Sequence, residues 1–115
     1  ARVESFVGAP IPDDADEIYF AEGGFQDTII WLRFDAAPGA VETFLADAGA
    51  EEPLDPNWEI ARLNPAADED WWQPEAAEQG AGLNYEIEER FIFCKAYADQ
   101  TRADRWRVYV VCFNT

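Results

Sequence analysis

The chain of 115 residues contains no histidine and no methionine, and Ser5 and Lys95 are its only serine and its only lysine. Without histidine, the Ser–His–Asp triad and most zinc-dependent catalysis are excluded. No glycine-rich phosphate loop or dinucleotide-binding fingerprint occurs, and we therefore expect no cofactor. No apolar run reaches the ~18 residues that a membrane-spanning helix needs, so we expect no transmembrane segment.

Positive charge is also scarce, because 8 lysines and arginines stand against 24 aspartates and glutamates and the net charge is −16. This field repels nucleic acid and anionic membrane surfaces, so neither is expected as a partner. A basic protein or a small neutral ligand is the expected partner instead. A solvated acidic surface without any specific interface explains the same composition, and the charge alone does not separate the two interpretations.

The composition predicts one folded domain. Apolar residues make up 49% of the chain and aromatic residues 15%, which is typical of a globular protein and not of a disordered one. Residues 1–12 contain Gly8, Pro10 and Pro12 and predict an extended lead-in. Residues 13–115 predict a single α+β domain, because no repeat or second linker interrupts them.

Two β-rich runs flank a pair of glycines, Gly23-Gly24, and predict an antiparallel hairpin. A two-residue turn at these glycines would take the positive φ that tight hairpin turns need. Such a turn sets Phe20 opposite Asp27 and Ile18 opposite Ile29. Asp27 is then expected in the middle of a strand, partly buried.

Further along the chain, one segment has the spacing of an amphipathic helix, with Pro38 near its first turn and Gly49 just past its end. The apolar residues of this segment are Val41, Phe44, Leu45 and Ala48. Residues 51–82 carry four prolines and no clean periodicity, and they predict a long irregular loop. We therefore expect an α+β fold: a mainly antiparallel sheet of four to five strands, with the helix packed on one face and the loop over the other.

The only cysteines, Cys94 and Cys112, lie on two consecutive strand-like runs near the end of the chain. The polar connection at 99–104 is short enough for a hairpin. If the apolar faces of both runs point to the core, Cys94 lies roughly opposite Cys112, which predicts a cross-strand disulfide. A disulfide favours an oxidising compartment outside the cytoplasm. The alternative is two buried thiols that act as small apolar residues.

Trp71, Trp72 and Gln73, followed by a proline, form the sharpest motif of the long loop. Neighbouring side chains of an extended segment point in opposite directions, so one tryptophan is expected to anchor the loop and the other to line a groove. With Asp27, these residues form the predicted ligand-binding site, a stacking platform for a sugar or for an aliphatic or peptide ligand. The alternative is that both tryptophans anchor the loop on the sheet.

Carboxylates supply the remaining catalytic hypothesis. Asp27 paired with Asp68, Glu69 or Asp70 would provide the acid and the base of a glycosidase. Because the chain has 24 acidic residues, such a pair has little specificity, and we assign no catalytic residue. The acidic runs at 13–17 and 68–70 lack the spacing of a calcium loop, so we assign no metal site.

Several short motifs resemble those of small bacterial extracytoplasmic domains, which are often tethered behind a lipoprotein-type signal. The motifs are Gly-Gly-Phe-Gln-Asp at 23–27, Phe34 with Pro38 soon after, Trp-Trp-Gln-Pro at 71–74 and Val-Tyr-Val at 108–110. The resemblance spans residues 11–113. It implies a secreted or membrane-tethered location and carries over no catalytic or binding residue.

These observations lead to one functional hypothesis and two alternatives. We expect a non-catalytic binding or interaction domain outside the cytoplasm. The alternatives are a carboxylate-dependent hydrolase and an acidic decoy or inhibitor of a basic protein.

Overall fold

The computed structural model describes residues 2–24 and 27–114. In chain order, the elements are α1 (Arg2–Val7), β1 (Asp16–Gly23), β2 (Ile29–Ala36), α2 (Pro38–Ala48), β3 (Gly80–Ile87), β4 (Ile92–Asp99) and β5 (Trp106–Asn114). The five strands form one antiparallel sheet in the order β1-β2-β5-β4-β3. The predicted α+β class with a mainly antiparallel sheet is confirmed.

Helix α2 packs on one face of the sheet, as its sequence pattern predicts. It begins at Pro38, and Gly49 ends it in the left-handed conformation with a φ of +117°. The ring of Phe44 meets the ring of Phe34 from β2 edge-on, with 5.1 Å between the ring centroids. The whole predicted apolar stripe is buried: Val41, Phe44, Leu45 and Ala48.

The lead-in is not extended throughout, because residues Arg2–Val7 form the short helix α1. Val7 is fully buried on the same face of the sheet as α2. Gly8 follows with a φ of +100°, and a Cβ there would lie 2.9 Å from the carbonyl oxygen of Ala48. The glycine and the prolines that indicated an extended segment all lie after α1. Burial against the sheet, which local signals do not report, stabilises the helix before them.

The hairpin between β1 and β2 forms, but its predicted register is wrong. Gly23 belongs to β1 and pairs with Ile29, and Phe20 pairs with Leu32. Asp27 lies in the connection and not in a strand, while the neighbouring residues 25 and 26 fall outside the described residues. The predicted two-residue turn is wrong because Gly23 still pairs within β1 and the pairing resumes only at Ile29, so residues 24–28 connect the two strands.

β4 and β5 pair in the predicted register. Cys94 lies opposite Cys112, with 4.1 Å between their Cα atoms. Their Sγ atoms are 2.06 Å apart, which is disulfide-bonding distance, and both residues are buried in the core under the helices.

The long loop between α2 and β3 crosses the other face of the sheet, as expected. At its start, Asp55 and Gly82 of β3 exchange two backbone hydrogen bonds of 2.8 and 3.0 Å. The indole of Trp58 lies directly on Gly82, where a Cβ would overlap the ring. The second core under the loop consists of Trp58, Leu63, Trp72, Tyr97, Tyr109 and Val111. We call the two sides of the sheet the helix face and the loop face.

Candidate functional site

The two tryptophans of the predicted site hold the long loop to the sheet. Trp72 is only 5% exposed and packs edge-on against Tyr109 of β5, with 5.2 Å between the ring centroids. Trp71 is half-buried and stacks on Tyr19 of β1 at 5.8 Å. This arrangement fits the alternative in which both tryptophans anchor the loop. Ligand binding by these residues stays a prediction.

Arg33 of β2 joins Trp71 to the edge of the sheet. Its guanidinium carbon lies 4.4 Å from the centroid of the Tyr19 ring, and Nη1 donates a 3.1 Å hydrogen bond to the carbonyl oxygen of Trp71. Nη2 lies 3.5 Å from the Glu17 carboxylate. Ring, carbonyl and carboxylate compensate part of the burial of this charge, and within the described residues the Arg33 Nε is buried without a hydrogen-bond partner. Trp71 therefore already stacks on a ring of the protein itself, that of Tyr19 on β1.

The other two predicted site residues are both solvent-exposed. Gln73 is exposed on the loop, and Asp27 is exposed in the connection after β1. Tyr19, which contacts Trp71, lies four residues before the end of β1 at Gly23, roughly 13 Å along the strand. The expected burial of Asp27 is therefore wrong, because the residue is not in a strand. Its pairing with a carboxylate of 68–70 stays a prediction.

A different part of the loop face contains a cavity of about 660 Å³. We call it the aromatic–acidic groove. The side chains that define it are two aromatic rings, one ammonium group and four carboxylates: Phe93, Phe113, Lys95, Glu51, Glu52, Glu86 and Glu88. Gly49, Asn84, Tyr85 and Cys94 also line the cavity.

The groove exists because the long loop covers only part of its face. Loop side chains pack on Tyr97, whereas Phe93, four residues earlier on the same face of β4, is 38% exposed. Phe93 pairs with Phe113 across β4 and β5, and their ring centroids are 6.2 Å apart. Lys95 lies between the covered and the open parts and donates a 3.1 Å hydrogen bond to the carbonyl oxygen of Asn64 in the loop.

The electrostatic balance of the groove is negative, since four carboxylates line it against the single ammonium of Lys95. Gly49 places the C-terminal end of α2 at the same cavity, where the helix dipole adds partial negative charge. The Lys95 Nζ lies 5.6 Å from the centroid of the Phe113 ring. The ring of Phe113 therefore already has the Lys95 ammonium over its face, where the ring quadrupole attracts positive charge.

Sequence reasoning missed this groove although one signal for it was present. The register that pairs Cys94 with Cys112 also pairs Phe93 with Phe113, one position earlier on β4 and one later on β5. Two large aromatic side chains on the face opposite the cysteines are therefore implied by the hairpin. What the sequence does not reveal is where the loop stops, and this decides whether the rings are covered.

Comparison with protein-family models, with curated proteins and with solved structures finds no match. Within residues 2–24 and 27–114, no helix is long and apolar enough to cross a membrane. The same residues contain no group of three or more histidines, cysteines or acidic residues that could hold a metal ion.

Proposed function

We propose that this protein is a non-catalytic binding domain that acts outside the cytoplasm and recognises a basic protein through the aromatic–acidic groove. The observation that carries the proposal is the exposed Phe93 beside Phe113 in a cavity lined by four carboxylates. The location is supported by the cysteine pair at disulfide distance and by the motifs similar to those of extracytoplasmic domains.

Arginine and lysine side chains fit the chemistry of the groove. A guanidinium group stacks flat on an aromatic ring while its N–H groups donate to carboxylates nearby. One exposed cation–π contact contributes about 0.5–1 kcal/mol. Micromolar affinity requires about 8 kcal/mol, so a partner must place several basic side chains on this surface at once. A protein segment meets this requirement better than a single small cation.

The field of the whole molecule supports the same class of partner. A net charge of −16 attracts basic proteins over distances longer than a contact and raises their association rate. The attraction weakens with salt, because the Debye length falls from about 30 Å at 0.01 M to about 10 Å at 0.1 M. In this version of the acidic-decoy hypothesis, the protein binds its partner through the groove and blocks the basic surface of that partner.

Fluorescence anisotropy with a labelled peptide in which arginine and alanine alternate tests the proposal. We expect Phe93→Ala to weaken binding about two- to fivefold, because one exposed cation–π contact of about 0.5–1 kcal/mol is removed from the groove. Phe91→Ala is the matched control, since Phe91 is 70% exposed and does not line the groove. Equal affinity of the two variants would show that the rings do not recognise the cation.

A second pair of variants separates the groove from the general field. Glu86→Gln combined with Glu88→Gln removes two charges from the groove, and Asp68→Asn combined with Asp70→Asn removes two exposed charges from the loop. We expect the first double variant to weaken binding at least five times more than the second at 0.15 M salt. An equal loss in both would mean that the net charge alone attracts the peptide, and the proposal would be wrong.

A further inference from the structure

Lys95 lies at the boundary between the covered part of the loop face and the aromatic–acidic groove. It pairs with Asn84 of β3, whose side chain accepts a 3.0 Å hydrogen bond from the indole of Trp58 in the long loop. The next pair on the same face of these two strands is Glu86 with Phe93, and both of these residues line the groove. The only lysine of the chain is therefore the side chain of β4 at which the loop ends and the groove opens.

The Lys95 ammonium is held by the loop and does not neutralise the carboxylates of the groove. Its Nζ donates hydrogen bonds of 3.1 and 3.3 Å to the carbonyl oxygen and the side-chain oxygen of Asn64. In the described part of the chain, Lys95 forms no ion pair. Within residues 2–24 and 27–114, no hydrogen bond or ion pair involves the four carboxylates of the groove, those of Glu51, Glu52, Glu86 and Glu88. These carboxylates are therefore available to a basic partner.

The same ammonium occupies one of the two aromatic rings of the groove. Its Nζ lies 5.6 Å from the centroid of the Phe113 ring, whereas the neighbouring Phe93 is 38% exposed and its ring centroid is 6.2 Å from that of Phe113. In an extended segment, side chains two residues apart point the same way and are roughly 7 Å apart. Two such basic side chains would therefore reach both rings together, but the second would meet the Lys95 ammonium. Like charges at this distance repel each other.

We propose that Lys95 determines which basic segments the groove accepts, because its charge keeps a second cation away from Phe113. This inference rests on the proposed function, since it takes the groove as the site for basic side chains. The accepted segment places one basic side chain on Phe93 and an uncharged side chain at Phe113. Repulsion of the wrong pattern is a common source of specificity. The favoured partner is therefore a segment in which a basic residue is followed two positions later by an uncharged one.

The test is fluorescence anisotropy at 0.15 M salt with two labelled peptides. The first alternates arginine with alanine, and in the second every other arginine of that sequence is replaced by glutamine. We expect Lys95→Met to tighten binding of the first peptide about three- to tenfold, because the second ring becomes available to a second arginine. Binding of the second peptide should change less than about twofold. The variant is expected to fold, because the Asn64 oxygens that lose the ammonium are exposed to water.

Three further variants separate the charge of Lys95 from other effects. Lys95→Arg keeps the charge and is expected to bind both peptides within about twofold of the unmodified protein. Arg102→Gln is the matched charge control, because this 64% exposed side chain lies in the connection after β4, at the opposite end of the strand from the groove. It should change either affinity less than about twofold. Phe113→Leu keeps an apolar side chain but removes the aromatic ring, so it should cancel most of the gain of Lys95→Met.

A gain of equal size for both peptides, or an equal gain in Arg102→Gln, would mean that Lys95 acts through the net charge alone and would overturn the proposal. A gain that persists in the presence of Phe113→Leu would also overturn it. If Phe93→Ala weakens binding but Lys95→Met leaves it unchanged, the groove binds basic side chains and only the role of Lys95 is wrong. Equal binding of the first peptide by Phe93→Ala and Phe91→Ala is the separate result that overturns the proposed function, and this inference with it.

Discussion

The hydroxyl of Tyr85 donates a 2.6 Å hydrogen bond to the carbonyl oxygen of Val7. Tyr85 belongs to β3 and Val7 is the last residue of α1, and both are buried. The bond therefore fastens the first helix to the edge of the sheet, where the chain turns at Gly8 towards β1.

Tyr85→Phe keeps the ring and removes this hydrogen bond, so it leaves the buried Val7 carbonyl without its partner. We expect a loss of about 1–3 kcal/mol in the free energy of unfolding, measured by urea denaturation. Tyr19→Phe is the control, because the Tyr19 hydroxyl is exposed and the loss of that hydroxyl alone should change stability by less than about 0.5 kcal/mol. Equal stabilities of the two variants would contradict a stabilising role of the bond.

Alkaline pH is expected to destabilise the protein through its buried tyrosines. Burial raises the pKa of Tyr85, Tyr97 and Tyr109 in the folded state. In the unfolded state these hydroxyls lose their protons near pH 10, so the unfolded state binds fewer protons than the folded state above that pH. The tyrosine contribution is constant below about pH 9 and is lost as the pH rises past 10. Denaturation curves from pH 8 to 11.5 measure the slope, which should be shallower in Tyr85→Phe.

The cysteine pair is expected to contribute to stability through the loop that it closes. Cys94 and Cys112 are 18 residues apart in sequence, and closing a loop of this length corresponds to about 3 kcal/mol in the chain-entropy model. Cys94→Ala combined with Cys112→Ala should lower the free energy of unfolding by this amount. Intact mass after denaturing alkylation, with and without reduction, checks that the bond is present. Free alkylation without reduction would remove this support for an oxidising compartment.

Gly82 is expected to be indispensable beneath the indole of Trp58. A Cβ at this position would overlap the ring, so Gly82→Ala must displace the anchor of the long loop. We expect a loss of about 1–3 kcal/mol. Gly39→Ala is the matched control, because no atom lies within 4 Å of the added Cβ and alanine is the better helix residue. It should leave stability unchanged or raise it by about 0.5–1 kcal/mol.

Salt is expected to stabilise this protein. A net charge of −16 on 115 residues makes the folded surface repel itself, and the Debye length near 10 Å at 0.1 M screens much of that repulsion. The melting temperature should therefore rise between 10 mM and 500 mM sodium chloride. A melting temperature that stays constant or falls over this range would show that local ion pairs, such as Arg107 with Asp35, outweigh the general repulsion.

Only part of the candidate groove can be predicted from local sequence patterns. The pairing of Phe93 with Phe113 is implied by the register of the last hairpin, which the two apolar strand faces determine. The carboxylates come from segments far apart in sequence, the start of the long loop for Glu52 and β3 for Glu86. No residue spacing in the sequence predicts that these segments lie next to each other. The tryptophan pair is conspicuous in the sequence, but in the structure it packs the loop on Tyr19 and Tyr109.

The sequence by itself determined the α+β class, the helix α2, the pairing of Cys94 with Cys112 and the loop over the second face. Each depends on local periodicity or on one hairpin, where neighbours in sequence are also neighbours in space. Only the tertiary structure decided the helix before Gly8, the register of β1 on β2, the exposure of Phe93 and the position of β1 at the edge of the sheet. These features depend on which distant surfaces cover one another, and burial between distant segments overrides local turn signals.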